Sequence, residues 1–504
     1  MKPVLPRFIQ MLRQGRSQQN DSPMIPAIEK PRHMPLLRTE KMELAQKYTG
    51  KLLSRTEIHL NDQQFTTLLS NRYFTPVKAI EVYLNKILCK RCHNNDPNLF
   101  GLIPCARCNQ THTYCRNCIR MGRIMECEYL YYWSGPAFSW PKHEHALTWR
   151  GKRTEAQEKA AKKIVDTVEN GGELLIWAVT GSGKTEMIFP GINRALQLGK
   201  RVCIATPRTD VVRELLPRIQ EAFQSIHIQA LYSGSKDKDG TAQIILSTTH
   251  QLLRYRHAFD VLIIDEIDAF PYHQDNSLHF AANRSVKAKS ARIYLTATPR
   301  KQQKRQIATR KLPYVFVPLR YHGFPLPVPK TIYCAKLKRK LSEQMMPAPF
   351  VDWLQHRQKR SRQLLIFVPT IQLAERLQQL ITDICKKHNI IKKRSEVKSV
   401  HAEDKQRANN ITLFRKRQIT VLITTTILER GVTFPEIDVV VLDAGHEVFD
   451  EAALVQIAGR AGRSPNDPTG EVIFFHEGKT NAIVDAIAAI KQMNRRGEKI
   501  RISR

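Results

Sequence analysis

The stretch Glu173–Thr185 reads E-L-L-I-W-A-V-T-G-S-G-K-T, an apolar run that opens into a glycine loop ending in Gly183-Lys184-Thr185. A short apolar run followed by such a loop predicts a buried strand that feeds a helix. Gly181 and Gly183 let the backbone approach a ligand closely, so loop N–H groups and the helix N-terminus form a polyphosphate cradle. On this reading Thr180, Gly181, Ser182, Gly183, Lys184 and Thr185 bind ATP. Lys184 reaches the outer phosphates and the Thr185 hydroxyl holds Mg²⁺. The first glycine of the usual pattern is here Ala178, a tolerated departure. The competing reading, a plain glycine turn between strand and helix, predicts no companion motifs downstream.

Companions are present. The run V-L-I-I-D-E-I-D-A-F carries Asp265 and Glu266 at the end of a predicted buried strand. An acidic pair at a strand's carboxyl end suits Mg²⁺ held by Asp265 and a water oriented or deprotonated by Glu266. Further on, Q-I-A-G-R-A-G-R contains Gln456, Gly459, Arg460 and Arg463. Two arginines three apart lie side by side on a helix and can meet a phosphate, Arg463 as the finger and Arg460 as its companion. Such residues accelerate phosphoryl transfer by roughly 10³ to 10⁵. Binding of nucleic-acid backbone is the alternative use of the pair.

Around these motifs, apolar runs alternate with polar helical stretches. Leu174–Val179, Val202–Thr206, Ile244–Thr249, Val261–Asp265 and Ile293–Thr298 form one series. Leu364–Val368, Val397–His401, Val421–Thr425, Val439–Asp443 and Val472–Phe475 form a second. Strands apolar throughout and separated by helices predict parallel sheets covered on both faces, hence two α/β units. Residues 311–330, with five prolines, read as the connector. Pro190 and Gly191 predict a kinked or short helix after the glycine loop. The expected organisation is a flexible basic region over 1–50, a lead-in and cysteine module over 51–140, and α/β lobes over 141–325 and 326–504. The aromatic stretch from Tyr129 to Trp140 fits base stacking or plain packing equally well.

The chain's 504 residues carry 80 Lys and Arg against 46 Asp and Glu, net +34, with pI near 9.9. That excess calls for an acidic partner, nucleic acid first and an anionic membrane surface second. Basic residues crowd at Lys301–Lys311, Lys336–Lys340, Arg357–Arg362, Lys386–Arg394 and Arg415–Arg417. No apolar run is long enough to span a bilayer, and the N-terminus lacks a signal-like core, so a cytosolic location is expected. Seven of ten cysteines fall between Cys89 and Cys127, while Cys203, Cys334 and Cys385 are scattered. Clustering in a cytosolic chain favours metal over disulfide. Three C-x-x-C pairs, Cys89/Cys92, Cys105/Cys108 and Cys115/Cys118, can each close a knuckle on a tetrahedral ion, which suits structural Zn²⁺. Six thiols exceed one site of four and fall short of two, and His93, His112 and Cys127 are further competitors.

Glycine loop, D-E-x-D, Thr296-Ala297-Thr298 and Q-x-x-G-R-x-x-R, in that order on two α/β units, resemble the superfamily 2 helicases and translocases. That resemblance implies two tandem RecA-like lobes with parallel sheets, preceded here by a small cysteine-rich zinc-binding module. It implies an adenine contact at Gln157, within the element from Leu147-Thr148-Trp149. It implies strand contacts at Pro207, Arg208, Thr249 and His250 in the first lobe and at Thr425 in the second, where Glu429-Arg430-Gly431 follows. D-E-I-D-A-F-P, A-T-P-R-T-D-V-V-R-E-L and the upstream Y-C-R-N-C-I-R-M-G-R together resemble the ComFA family of competence DNA uptake. Membership implies an ATPase, stimulated by single-stranded DNA, that draws one incoming strand through a membrane channel. It implies contact with a ComFC-type partner, and a position at the inner face of the membrane and a homo-oligomeric form are compatible with it. It also implies Cys89, Cys92, Cys115 and Cys118 as the zinc set, leaving Cys105 and Cys108 as substitutes or free thiols. Thr433 departs from the aspartate that many helicase relatives place there. On this reading ATP lies between the lobes and the strand lies across both. A PriA-like unwinding helicase and a zinc-bearing adaptor with an inert motor are the alternatives.

Overall fold

The computed structural model describes residues 38–83 and 86–502. It divides into two compact units. The first comprises the described residues up to Arg150 together with Ile164–Leu174 and Phe189–Tyr294; the second comprises Gly151–Lys163, Leu175–Ile188 and Leu295–Arg504.

The amino-terminal part is a small α+β layer. A helix, Arg38–Tyr48, buries Ala45 and Tyr48, so the expected flexible region ends in ordered structure; residues 1–37 lie outside the described residues. Seven strands follow: β1 (Leu52–Ser54), β2 (Phe74–Lys78), β3 (Ile80–Tyr83), β4 (Lys86–Cys89), β5 (Phe100–Pro104), β6 (Thr111–Cys115) and β7 (Tyr129–Trp133). Strands β1, β7 and β2 form an antiparallel sheet with β7 in the middle, and β3/β4 and β5/β6 are two-stranded ribbons. The aromatic stretch resolves toward packing where it forms β7. Tyr131 and Trp133 join Tyr48, Phe65 and Phe74 in an aromatic core with ring centroids 5.0 to 6.3 Å apart. Such burial of large rings gives a small layer most of its stabilisation.

The two parallel sheets match the two apolar series. The first contains β8 (Gly172–Ala178), β9 (Val202–Thr206), β10 (Ile228–Leu231), β11 (Ile244–Thr248), β12 (Phe259–Asp265), β13 (Val286–Thr296) and β14 (Tyr314–Val317), in the order β10-β11-β9-β12-β13-β8-β14. The second contains β15 (Lys330–Tyr333), β16 (Gln363–Phe367), β17 (Val397–Val400), β18 (Val421–Thr424), β19 (Ile437–Val441) and β20 (Val472–His476), in the order β15-β20-β19-β16-β18-β17. Every residue of β9, β11, β16, β18, β19 and β20 is buried, as strands covered on both faces require.

The connector reading needs correction. Residues 311–330 hold β14, which pairs in parallel with the glycine-loop strand at Val317↔Ala178. Pro313 and Pro318 flank this four-residue strand rather than interrupt it, and β14 lies at the sheet edge, where proline is tolerated. The helix after the glycine loop, Lys184–Gln197, is not short: it runs on through Pro190. A Cβ at Gly191 would sit 2.3 Å from Ile164 Cγ2, so the bare backbone there admits a neighbouring helix. Among the described residues no helix is long and apolar enough to cross a membrane.

Candidate nucleotide and metal sites

The glycine loop is built as its sequence requires. Gly181 and Gly183 hold φ of +76° and +73°, left-handed values that side chains resist. A Cβ at Gly183 would lie 2.4 Å from Gln157 Nε2. Gln157 uses both ends of its amide on the protein, accepting from the Thr154 N–H at 2.7 Å and donating to the Ser182 carbonyl at 2.8 Å. Ser182 and Thr185 are buried, and Lys184 opens the helix. Among the described residues the hydroxyls of Thr180 and Ser182 are buried with no hydrogen-bond partner. A buried hydroxyl left unpaired is costly, so a loop in this state fits an oxyanion ligand such as the phosphates of ATP.

In the same compact unit the arginine segment lies against this loop. The helix Glu451–Ala458 ends at Gly459, and a Cβ there would fall 2.0 Å from Thr180 Oγ1 and 2.7 Å from Thr180 Cβ. Only a glycine permits that approach. Arg460 is fully buried and donates through Nε to the Glu429 carbonyl at 2.9 Å. Arg463 is half-buried, with Nε 3.0 Å from the Gly459 carbonyl and Nη1 3.2 Å from the hydroxyl of Thr433. Thr433 therefore positions this arginine.

A third arginine was not legible in the sequence. Arg320, just after β14, is buried; it donates to the Ala461 carbonyl at 2.9 Å and to the Gly462 carbonyl. Its stem lies 3.7 Å from where a Gly181 Cβ would be, and the next residue's N–H, on Tyr321, donates to the Gly181 carbonyl at 3.0 Å. Burial, then the charge of Arg463, push its guanidinium down to about 9. A lone arginine in a proline-rich stretch carries no motif signal; only pairing of β14 with the loop strand brings it here.

The other unit gathers its candidates at one sheet edge. In register, Thr248 of β11 lies opposite Thr206 of β9, and Ile264 of β12 opposite Ala205. The residues that follow, Thr249 and His250, Pro207 and Arg208, and Asp265 and Glu266, thus emerge together at the carboxyl ends of adjacent parallel strands, where open α/β sheets bind ligands. Asp265 is buried and its carboxylate accepts from the Glu266 N–H at 2.9 Å. Glu266 has φ +58°, an unusual value for a side-chain-bearing residue and one that turns the chain sharply at the strand end. Arg208 and His250 are half-buried, while Pro207 and Thr249 are buried. Burial first, opposed by Asp275, holds His250 below the usual imidazole range. In the second sheet Thr425 follows β18 directly and is half-buried.

Four cysteines converge in the amino-terminal part. Cys89, Cys92, Cys115 and Cys118 are buried and their sulfurs lie within 4.8 Å of one another. The Cys89–Cys118 and Cys92–Cys115 separations are 3.8 and 3.6 Å. Tetrahedral zinc with bonds of about 2.3 Å requires sulfurs about 3.8 Å apart, so the set fits the ion. The surroundings suit thiolates. Arg91 is buried against Cys118, its Nη2 3.2 Å from the sulfur, while the Asn94 and Asn117 amides donate to Cys115 and Cys92 at 3.8 and 3.6 Å. Such outer groups orient ligands and balance their charge. The neighbouring thiols, with Arg91, hold Cys118 far below the ordinary thiol range. Arg284 fastens the first knuckle to the lobe by donating to the carbonyls of Lys90 and Arg91 at 2.9 and 2.7 Å.

Two parallel sheets with a glycine loop, strand-end carboxylates and an arginine segment define a helicase-like ATPase of superfamily 2. Residues 151–301 match the model of the type III restriction enzyme res subunit and 346–465 that of the helicase conserved C-terminal domain. The solved DEAD-box helicase Mss116 bound to ssRNA and UDP-BeF is similar in fold, with TM-score 0.50 and 15% identity, covering 64% of this chain and 69% of that one. Residues 37–132 match the competence protein ComFA N-terminal domain. Competence protein ComFA of Bacillus subtilis (strain 168) is 43% identical over 91% of this chain and 96% of its own length. That of Streptococcus pneumoniae (strain ATCC BAA-255 / R6) is 36% identical over 89% and 98%. The chain belongs to the ComFA family.

Proposed function

We propose that this protein is an ATP-driven translocase on single-stranded DNA that powers uptake of transforming DNA. Within a helicase-like ATPase of the competence system, the observation that carries this reading is the seat of Gly459 on Thr180. It sets the arginine segment against the phosphate loop, as transition-state stabilisation by Arg463 requires. Bound ATP with Mg²⁺ would supply the phosphoryl group and the charge that the loop is shaped to hold.

In this proposal the loop N–H groups, Thr180, Ser182 and Lys184 bind the phosphates, and Thr185 and Asp265 hold Mg²⁺. Glu266 orients the attacking water and accepts its proton. Arg463 meets the charge that develops on the transferring group, while buried Arg460 and Arg320 fix the backbone on which Arg463 stands. Arg208, His250 and Thr425 touch the strand, mainly through phosphates, so binding shows little sequence preference. Cys89, Cys92, Cys115 and Cys118 hold a structural zinc that steadies the path of the strand. A ComFC-type partner and the uptake channel at the inner face of the membrane are the proposed assembly. The test is phosphate release by the purified protein with single-stranded DNA, duplex DNA or RNA added. Marked stimulation by single-stranded DNA alone is expected; equal rates with all three, or none, would refute the substrate assignment.

A further inference from the structure

We propose a second zinc site in this protein, formed by Cys105, Cys108 and Cys127 with His112 as fourth ligand. It shares no residue with the four-cysteine set. The sulfurs of Cys105, Cys108 and Cys127 lie within 4.8 Å of one another. Cys105 and Cys127 are 3.8 Å apart, the sulfur separation that tetrahedral zinc demands. His112 Nε2 is 3.0 Å from the Cys108 sulfur; it stands outside the group whose ligand atoms all lie within 4.8 Å of one another, so its ring must move inward to complete the tetrahedron.

The backbone supports the same conclusion independently of the sulfurs. At Cys89-Lys90-Arg91-Cys92-His93, the His93 N–H donates to the Cys89 carbonyl at 2.8 Å, the Cys89 N–H donates to the Asn94 carbonyl at 3.0 Å, and His93 has φ +62°. At Cys105-Ala106-Arg107-Cys108-Asn109 the pattern recurs. The Asn109 N–H donates to the Cys105 carbonyl at 2.9 Å, the Cys105 N–H to the Gln110 carbonyl at 2.8 Å, and Asn109 has φ +53°. This is the turn that presents two thiolates to one ion. The knuckle is held toward Cys127 as well, because Arg107 pairs with Glu128, the next residue, at 2.6 Å.

Three thiols and an imidazole, with no disulfide among them, match a closed structural zinc set rather than a catalytic one, which keeps a position open. The ion would tie the tip of the β5/β6 ribbon to the segment that leads into β7.

The experiment uses the full chain produced in zinc-replete medium. Elemental analysis should find two zinc ions per chain, falling to one in Cys108→Ser/Cys127→Ser; one ion in the unaltered protein, or two retained in the variant, overturns the proposal. Should the variant fail to fold, N-ethylmaleimide footprinting of the unaltered protein decides the matter. Cys108 is exposed, so without a metal it should be the first of the three to react. With zinc bound, Cys105, Cys108 and Cys127 should be protected together and released together by chelator. Immediate labelling of Cys108 in the loaded protein, or protection reversed by reductant and not by chelator, would contradict it.

Discussion

Gly459→Ala is the substitution that tests the coupling between loop and arginine segment. The added Cβ would lie 2.0 Å from Thr180 Oγ1, 2.7 Å from its Cβ and 2.9 Å from its Cγ2. None of these distances occurs between unbonded atoms, so either the arginine segment or the loop must give way. Overpacking of this kind typically costs about 1–3 kcal/mol. If hydrolysis requires the segment seated on the loop, that cost adds to the barrier, and kcat should fall about fivefold to 150-fold. The assay is steady-state phosphate release at saturating single-stranded DNA. Thr180→Gly removes all three obstructing atoms, so Gly459→Ala should cost far less in that background than alone, a coupling that a double-mutant cycle reads directly. A kcat for Gly459→Ala within twofold of the unaltered protein would refute the reasoning. So would an equal loss in both backgrounds, which would make the glycine important for some reason other than Thr180.

Glu266→Gln keeps the size of the side chain and removes the base; hydrolysis should fall about 10²- to 10⁴-fold while binding of a fluorescent ATP analogue persists, and lost binding would argue against the role. Arg208→Ala should weaken binding to oligo-dT of any composition and reduce the slope of log K against log salt by about 0.7; an unchanged slope would remove Arg208 from the strand path. Lys51 is buried, its ammonium donates to the Asp239 carbonyl, and burial pushes it down to about 7, with Arg201 next in effect. An unfolded lysine titrates near 10.4, so between pH 7 and about 10 the unfolded chain holds more protons and this residue's contribution makes stability rise with pH. Thermal unfolding across that range should show a shallower rise for Lys51→Met than for the unaltered protein, and identical slopes would contradict the assignment.

Much of this architecture is readable from local chemistry, and what escapes has a physical reason. The inner strands β9, β11, β16, β18 and β19 are buried along their whole length and so appear as unbroken apolar runs. In the two parallel sheets the strands absent from the apolar series, β10, β14 and β15, are four-residue strands at sheet edges. There a strand has one partner and a pattern too short to stand above its flanking turns, and in β14 two prolines disguise it further. The glycine loop and the carboxylate pair are legible because the chemistry they suit fixes residue type and spacing within one strand–turn–helix step. Arg320 is not, because its place follows from pairing of strands far apart in the chain, Val317 with Ala178. The cysteines show both cases. The C-x-x-C spacing announces knuckles, whereas the partition of seven thiols depends on how the ribbons fold over. Only the folded chain sets Cys127 beside Cys105. The aromatic run was ambiguous in sequence because a ring that stacks on a base and a ring that fills a core have the same composition; burial of Tyr131 and Trp133 separates the two.

Movement along a strand is what hydrolysis in this protein is proposed to produce, and the direct measurement is displacement of streptavidin from the biotinylated end of a single-stranded DNA by the purified full chain. Displacement should require ATP, occur from one end of the strand and not the other, and vanish in Lys184→Ala and Arg463→Ala. Release that is independent of ATP, or robust DNA-stimulated hydrolysis with no displacement from either end, would contradict the account.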